Sequence, residues 1–495
     1  MIASQQAQLP WVAALLAAIV LAGCSRTAPR IGGDEEYYEA ILLAGSRVGW
    51  AHTIRQTVTE EGQSLVRTRN VSQLTLTREG EPVTQKMVLT CWETPDGKLV
   101  RFESEQDEGA TAARGEVKDG QLTVTRTMLG KSETESHEWK DWGGFFAPTD
   151  SLWRSPMQPG EKRAVRSLTP LMNVPATTKL EALTTERIDL PHGPQKLLKV
   201  RGSLTLGKTD LEILFWVNDR GDVLRTQMPA IDQESIRVSK NEALRPVGRQ
   251  NFDLLVDSVV KLESPPDYSL VKKAVYLATL KSGGAIDGVF SAGYSQRVRI
   301  VDGHQAEVTV LAARPDWPGD DYPVETSPDE FLSPTTFLQS DDPQVREMAA
   351  SVAEGESDPW QIAVALERHV HQSILRKDYS KAMASAAEVA RQLEGDCTEH
   401  AVLLAACLKA RKIPARVAFG LVYVPALSGF AYHMWTEACI SGRWLPLDAT
   451  QGRGGIGCDH LKLGDSNLSG ADTYSDILGI VTVFRQLELS VVSTE

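Results

Sequence analysis

Three residues in the last quarter of this 495-residue chain could together do nucleophilic chemistry: Cys397, His433 and Asp448. A cysteine nucleophile must reach the thiolate state, and it needs a base whose tautomer is fixed. Cys397 follows Gly395-Asp396 and opens a segment with one apolar face (Ala401, Leu404, Leu408) that reads as a helix. The unpaired amides and dipole at a helix start stabilise a thiolate, and those N–H groups can also serve a developing oxyanion. His433 lies on a later strand-like segment beside Trp435, from which a ring nitrogen can take the thiol proton. Asp448 follows the next such segment, Trp444-Leu445-Pro446-Leu447. If the two segments are adjacent antiparallel strands, Asp448 can accept the other ring N–H and hold the tautomer.

Taken singly, each residue has an ordinary reading: a buried thiol, a satisfied strand histidine, a turn aspartate. Their neighbours divide in the same way. His400, one turn beyond Cys397, reads as a helix-packing residue, and His369 and His371 read as surface residues. Glu399 and Glu437 read as solvated or paired. Trp435 and Trp444 read as core beside the site or as walls of a substrate groove. Gln392 and Trp360 lie upstream, but nothing fixes either as an oxyanion donor. Cys397, His400, Cys407, Cys458 and His460 match no tight paired zinc spacing, and one helix does not readily converge Cys397 and Cys407 on one ion. No nucleotide, flavin or metal motif is visible, so no metal or cofactor is expected.

The elements that must position these residues have legible signals. Asp358-Pro359 starts a helix over 360–374, with Ile362, Leu366, Val370 and Ile374 on one face. Ser385-Ala386-Ala387-Glu388 is a capping box, and Gly395 is the expected stop of the helix it opens. The helix from Cys397 runs to about residue 412 and is stopped by Pro414. Residues 416–424, 432–440 and 443–447 read as strands, with Ser441-Gly442 as a tight turn.

With those elements in place, four blocks resemble the transglutaminase-like superfamily. They are Gly395-Asp396-Cys397-Thr398-Glu399-His400-Ala401, Ile413-Pro414-Ala415-Arg416, Tyr432-His433-Met434-Trp435-Thr436-Glu437 and Trp444-Leu445-Pro446-Leu447-Asp448-Ala449-Thr450. The resemblance covers 385–450 closely and extends over 328–495. It implies a papain-like α+β fold, with Cys397 as nucleophile, His433 as base and Asp448 as third member. Ala449 departs from the proline of many relatives, at a position that shapes a turn and does no chemistry. The reaction implied is attack on a side-chain carboxamide or peptide carbonyl to give a thioester. Water as acceptor makes a peptidase or amidase, and an amine makes a cross-linking transglutaminase; the sequence does not choose.

The first half of the chain reads differently. Segments 71–77, 85–91 and 199–205 alternate apolar and polar residues, the period of half-buried strands. Turn pairs Glu79-Gly80, Asp96-Gly97, Asp119-Gly120 and Arg220-Gly221 separate them. The hairpin from Trp92 through Gly97 to Arg101 is echoed by Trp216, Gly221 and Arg225 at the same spacing. That echo marks either two related β lobes or the shared grammar of hairpins. Strand-like alternation continues at 296–301 and 305–311, and a Pro- and Asp-rich run at 315–328 marks a boundary.

At the N-terminus, residues 11–22 form an apolar run of about a dozen residues, short for a membrane span and suited to a signal-peptide core. It ends in Leu21-Ala22-Gly23-Cys24, which resembles the lipobox of bacterial lipoproteins, although the first basic residue, Arg26, comes after it. The resemblance implies cleavage before Cys24 and lipidation of its thiol. The expected organisation is a signal peptide at 1–23, a tether at 24–35, a β-rich domain at 36–245 with one lobe or two, a small β module or linker domain at 246–327, and the catalytic α+β domain at 328–495. The fold class is thus multidomain, a β-rich N-terminal half followed by a papain-like domain. The expected place is the cell envelope, membrane-anchored and facing the periplasm or exterior, with peptides or proteins as substrates. A net charge of -13 without basic runs argues against nucleic acid as a partner. Of the remaining cysteines, Cys439 and Cys458 could bridge in an oxidising compartment, whereas Cys91 and Cys407 read as buried thiols. Oligomeric state is not legible. The competing reading is a cell-surface binding or assembly protein that uses the papain-like domain as a scaffold.

Overall fold

A computed structural model describes residues 35–78, 81–106, 111–128, 130–170, 172–206, 209–247, 257–281, 285–313, 329–376, 384–469, 483 and 485–495. The leader, Cys24, nearly all of the tether, the Glu79-Gly80 turn and the run at 315–328 lie outside these residues. The chain divides into two compact units, Ala13–Asp253 and Leu254–Glu495.

The first unit is built on one sheet of 14 strands. Its first run comprises β1 (Glu35–Leu43), β2 (Ser46–Glu60), β3 (Gln63–Arg78), β4 (Glu81–Glu93), β5 (Leu99–Gln106), β6 (Thr111–Lys118), β7 (Gln121–Met128) and β8 (Lys131–Glu138). The second comprises β9 (Lys162–Leu168), β10 (Pro175–Leu190), β11 (Gly193–Leu206), β12 (Thr209–Val217), β13 (Val223–Met228) and β14 (Gln233–Val238). Each run is an antiparallel meander, and β1 pairs β14 to join them. Alternation works here as expected: Met87, Leu89 and Cys91 point inward from β4 and meet Phe102, Leu122, Val124, Phe145 and Phe146.

The two echoed hairpins are built alike. In the first, the Arg101 guanidinium lies 4.1 Å from the Trp92 ring, and the Trp92 indole donates to Glu60 at 3.1 Å. In the second, Arg225 lies 4.5 Å from the Trp216 ring, and Trp216 donates to Glu186. Gly97 and Gly221 both adopt φ +89°, the left-handed region that glycine enters without a Cβ penalty. A Cβ on Gly97 would overlap Arg154, and one on Gly221 would overlap the Leu152 carbonyl, so both turns pack on one helix, α1 (Ala147–Arg154).

The second unit contains two antiparallel sheets and a helical cluster. The stretch at 246–327 shares its sheets with the C-terminal residues. β15 (Val260–Lys261) borders a sheet completed by β19 (Ala415–Val424), β20 (Gly429–Ile440), β21 (Arg443–Leu447) and β22 (His460–Ser466). β16 (Lys273–Leu280), β17 (Gln296–Ile300) and β18 (Gln305–Leu311) form the other with β23 (Leu487–Thr494). Helices α2 (Pro343–Ala350), α3 (Pro359–Ser373) and α4 (Ala386–Gln392) surround α5 (Cys397–Ala410), which packs on β19 and β20. α5 is buried on every side except at Ala410, so it acts as the unit's core helix rather than an amphipathic surface helix. The β-rich first half and the α+β second half agree with the fold class read from sequence.

Candidate active site

Local chemistry sets the position of Cys397. α4 ends at Leu393, which takes the left-handed conformation at φ 52°, two residues before the glycine expected to stop it. Gly395 instead turns the chain at φ +145°, where a Cβ would overlap Glu399. Asp396 then caps α5, accepting the Thr398 N–H at 2.8 Å, while Glu399 accepts the Asp396 N–H at 3.0 Å. Glu399 is buried rather than solvated, and its other oxygen accepts the Ala384 N–H at 3.0 Å. Burial, and then the charge of Asp396, push its carboxyl well above the usual range. A neutral Glu399 does not offset the positive helix start that faces the thiol.

α5 is tied to β20 by the Thr436 hydroxyl, which donates to the Ala401 carbonyl at 3.0 Å. His433 lies on β20 opposite Gly420 of β19, and β21 pairs β20 so that Asp448, just past β21, returns to it. The expected contact is present: His433 Nε2 and Asp448 Oδ2 are 2.9 Å apart. Nε2–H therefore donates to the carboxylate, and the lone pair resides on Nδ1. Nδ1 is buried and has no hydrogen-bond partner among the described residues. Cys397, His433 and Asp448 each have 0% exposure.

Asp448 is held from several directions. Its Oδ1 accepts the Thr450 N–H at 2.9 Å, and its own N–H donates to Glu367 Oε1 on α3 at 2.9 Å. Gly455 N–H reaches the same Glu367 oxygen at 3.1 Å. Burial lifts the Glu367 carboxyl to about 8. Burial also opposes the charge on Asp448, but His433 and a second histidine, His460, overcome it and hold that carboxyl well below its usual range.

His460, weighed in the sequence only among possible metal ligands, stands at the site, as does Glu367, without sequence reasoning having placed it there. His460 opens β22, with Nε2 3.2 Å from Asp448 Oδ2 and Nδ1 2.8 Å from Asp459 Oδ1. No spacing signal marks it; Asp459-His460 is an ordinary dipeptide until β22 folds beside β19. Gly420 permits that approach, because a Cβ there would overlap the Leu461 carbonyl, and the β19–β22 register shifts at the same point. Gly420 pairs with His433 on one side and Lys462 on the other, so it sits between the strands that carry the two imidazoles.

The neighbouring residues distribute as follows. Trp435 is buried, stacks with His433 at 6.2 Å between centroids and meets His460 edge-on at 5.4 Å. Trp444 packs instead under the Arg416 guanidinium at 4.1 Å and against Phe331. Neither lines an open groove, since exposures are 1% and 5%. His371 is half-buried, and its Nδ1 lies 3.1 Å from the Ala449 carbonyl, beside the turn that follows Asp448. His400 packs within α5, its Nδ1 2.5 Å from the Asp396 carbonyl. Glu437 is buried and pairs with Arg416 and Lys462. Gln392 is exposed and Trp360 half-buried. Cys91, Cys397, Cys407, Cys439 and Cys458 are all buried and outside any disulfide among the described residues, so the Cys439–Cys458 bridge is absent.

His433, Asp448 and His460 place one ligand-type atom each within 4.8 Å of one another, a spacing also found in metal sites. Both Nε2 atoms here are directed at a single carboxylate oxygen as hydrogen-bond donors, and the geometry is that of a shared proton acceptor.

The family model described as the transglutaminase-like superfamily matches residues 346–449, so the second unit carries a transglutaminase-like domain. The match spans Cys397, His433 and Asp448 and stops before Asp459 and His460. No curated protein matches the chain. Among solved structures, a candidate cysteine protease from Cytophaga hutchinsonii is 15% identical, with 46% of this chain and 89% of that chain covered and a TM-score of 0.29. A beta-barrel-like protein of domain of unknown function DUF1849 from Brucella abortus is 12% identical, with 42% and 97% covered and a TM-score of 0.32. A candidate protease from Parabacteroides distasonis is 11% identical, with 73% and 68% covered and a TM-score of 0.19.

Proposed function

We propose that the second unit is a cysteine-dependent acyl-transfer enzyme acting on peptide or glutamine amides. One observation carries the reading: a buried carboxylate fixes Nε2 of His433 and leaves Nδ1 without a partner, on the strand against which the Cys397 helix packs. Nδ1 takes the thiol proton as Sγ attacks the amide carbonyl carbon. Helix-start N–H groups meet the developing oxyanion. The imidazolium then gives its proton to the leaving amine as the C–N bond breaks, and a thioester remains. Water or an amine attacks the thioester, its proton passes to Nδ1, and Sγ recovers a proton when the acyl group departs.

The reading extends to place. The apolar run and Leu21-Ala22-Gly23-Cys24 support export and lipid attachment at Cys24, with the enzyme held at the cell envelope. Cys24→Ala should release the protein from membranes or block its processing; unchanged association and mass would count against the anchor.

The test of the chemistry compares the form lacking the first 24 residues with its Cys397→Ala variant. Peptide cleavage and amine incorporation into a glutamine-bearing protein are followed together. Activity lost in the variant supports the nucleophile, and the product separates hydrolase from transferase. Activity retained in Cys397→Ala removes it.

A further inference from the structure

His460 has a property that no other described imidazole at the site shares: both of its ring nitrogens face carboxylate oxygens, at 3.2 Å and 2.8 Å. A neutral imidazole has one N–H and one lone pair. If His460 were neutral, a lone pair would point at the oxygens of either Asp448 or Asp459. The arrangement is satisfied only when both nitrogens are protonated. Burial alone would disfavour that charge, but Asp459 and Asp448 overcome it, and the group titrates at about 9.

The surroundings are fully charged or titratable only on a few sides. Asp459, itself 3.5 Å from Arg453, faces Nδ1. Asp448 faces Nε2 and is shared with His433, whose ring centroid lies 5.8 Å from that of His460. From α3, Glu367 holds the Asp448 backbone. On α5, burial pushes the His400 imidazole down, against the Asp396 carbonyl and the charge of Asp448. Beside Asp459, the Cys458 carbonyl accepts from the Tyr276 hydroxyl, which also bonds to Tyr268.

We propose that His460 is a positioning residue for this site, a fixed imidazolium anchored by Asp459 that holds the Asp448 carboxylate against Nε2 of His433. The inference rests on the proposed triad. The His460 cation fixes the Asp448 oxygen that receives Nε2–H of His433, so the ring keeps the orientation that leaves Nδ1 open. The same cation favours the thiolate at Cys397. His460 touches no substrate in this scheme; it acts through Asp448.

The test follows Cys397 alkylation by iodoacetamide against pH in the full chain, read by peptide mass, for wild type and His460→Asn. Nitrogen NMR of the histidines accompanies it. Wild-type His460 should show two protonated nitrogens at pH 7.5 and lose one near pH 9. The labelling profile should break at that same pH, an outcome that needs no variant. In His460→Asn the acid limb should move up by ~1 pH unit. Asp459→Asn should lower the pH at which His460 titrates. A neutral His460 at pH 7.5, or a folded His460→Asn protein with slower labelling but unmoved limbs, overturns the proposal. So does purified protein holding one equivalent of zinc that a chelator removes with a change in the His460 signal. A Cys397 that never labels in wild type removes the triad and this proposal with it. A reactive Cys397 with unmoved limbs removes this proposal alone.

Discussion

Both units bury groups of charged side chains, and the two groups end differently. In the first unit, Arg55 pairs with Asp150 of α1, and Arg154 lies 3.7 Å from Glu93 and 3.9 Å from Asp150. Glu93 also accepts the Gly144 N–H at 2.7 Å, and Arg55 lies 4.3 Å from the Trp153 ring. This network ties β2, β4 and α1 together and fixes α1 beneath the two hairpin turns. In the second unit, the chain of contacts from Asp459 through His460 and Asp448 ends at His433 with one nitrogen uncommitted. The first network pairs charges to fix a shape, whereas the second ends on a group that can accept a proton and so aims a reactive atom.

The comparison can be broken most sharply at Cys397. Cys397→Ala should lower turnover by about a thousandfold or more, with thermal stability little changed; turnover measured beside a melting curve checks it. Asp448→Asn comes next. It should lower kcat by roughly a hundredfold or more, because the amide can present an N–H to Nε2 and stabilise the wrong tautomer. In the first unit, Arg55→Ala should leave the buried Asp150 with only the more distant Arg154 and cost about 3 kcal/mol, read in denaturant unfolding. Its effect on the Cys397 labelling rate in the folded protein should be nil, and a large effect there would erase the distinction between the two networks. The smallest effect concerns pH. Burial raises Glu93 to about 7 from an unfolded value near 4.5, so the folded state binds the extra proton. Its contribution favours folding at low pH and declines as pH rises from about 4.5 through about 7. Glu93→Gln should flatten that slope in unfolding free energy measured from pH 5 to 8.

Much of the site was legible because its parts are local. Ser385 with Glu388 and Asp358 with Pro359 are capping signals contained within a few residues, and the helices they open begin where they indicate. The β21 pairing that brings Asp448 to His433 follows from a tight turn at Ser441-Gly442. His460 and Glu367 escaped because both reach the site through tertiary contacts, across β19–β22 pairing and α3 packing. The His371 contact was not legible because its partner, the Ala449 carbonyl, lies 78 residues away. The stop at Leu393 was misplaced by two residues, since a left-handed leucine leaves no compositional mark while Gly395 does. The long-range closure of the first sheet, where β1 meets β14, has no local signal either.

The complete burial of Cys397, His433 and Asp448 has a kinetic consequence. Any reagent or substrate that meets the thiol does so from an opened minority of molecules, so the observed labelling rate is the intrinsic rate multiplied by the opening equilibrium. Reagent size then becomes a ruler. Iodoacetamide and a bulky maleimide react with an unhindered thiol at rates that can be calibrated on a small peptide. The factor by which their ratio departs from that calibration measures how far the protein must part for each. A substrate that itself stabilises the parted form would raise its own turnover without touching the triad, leaving the unbound enzyme latent at rest.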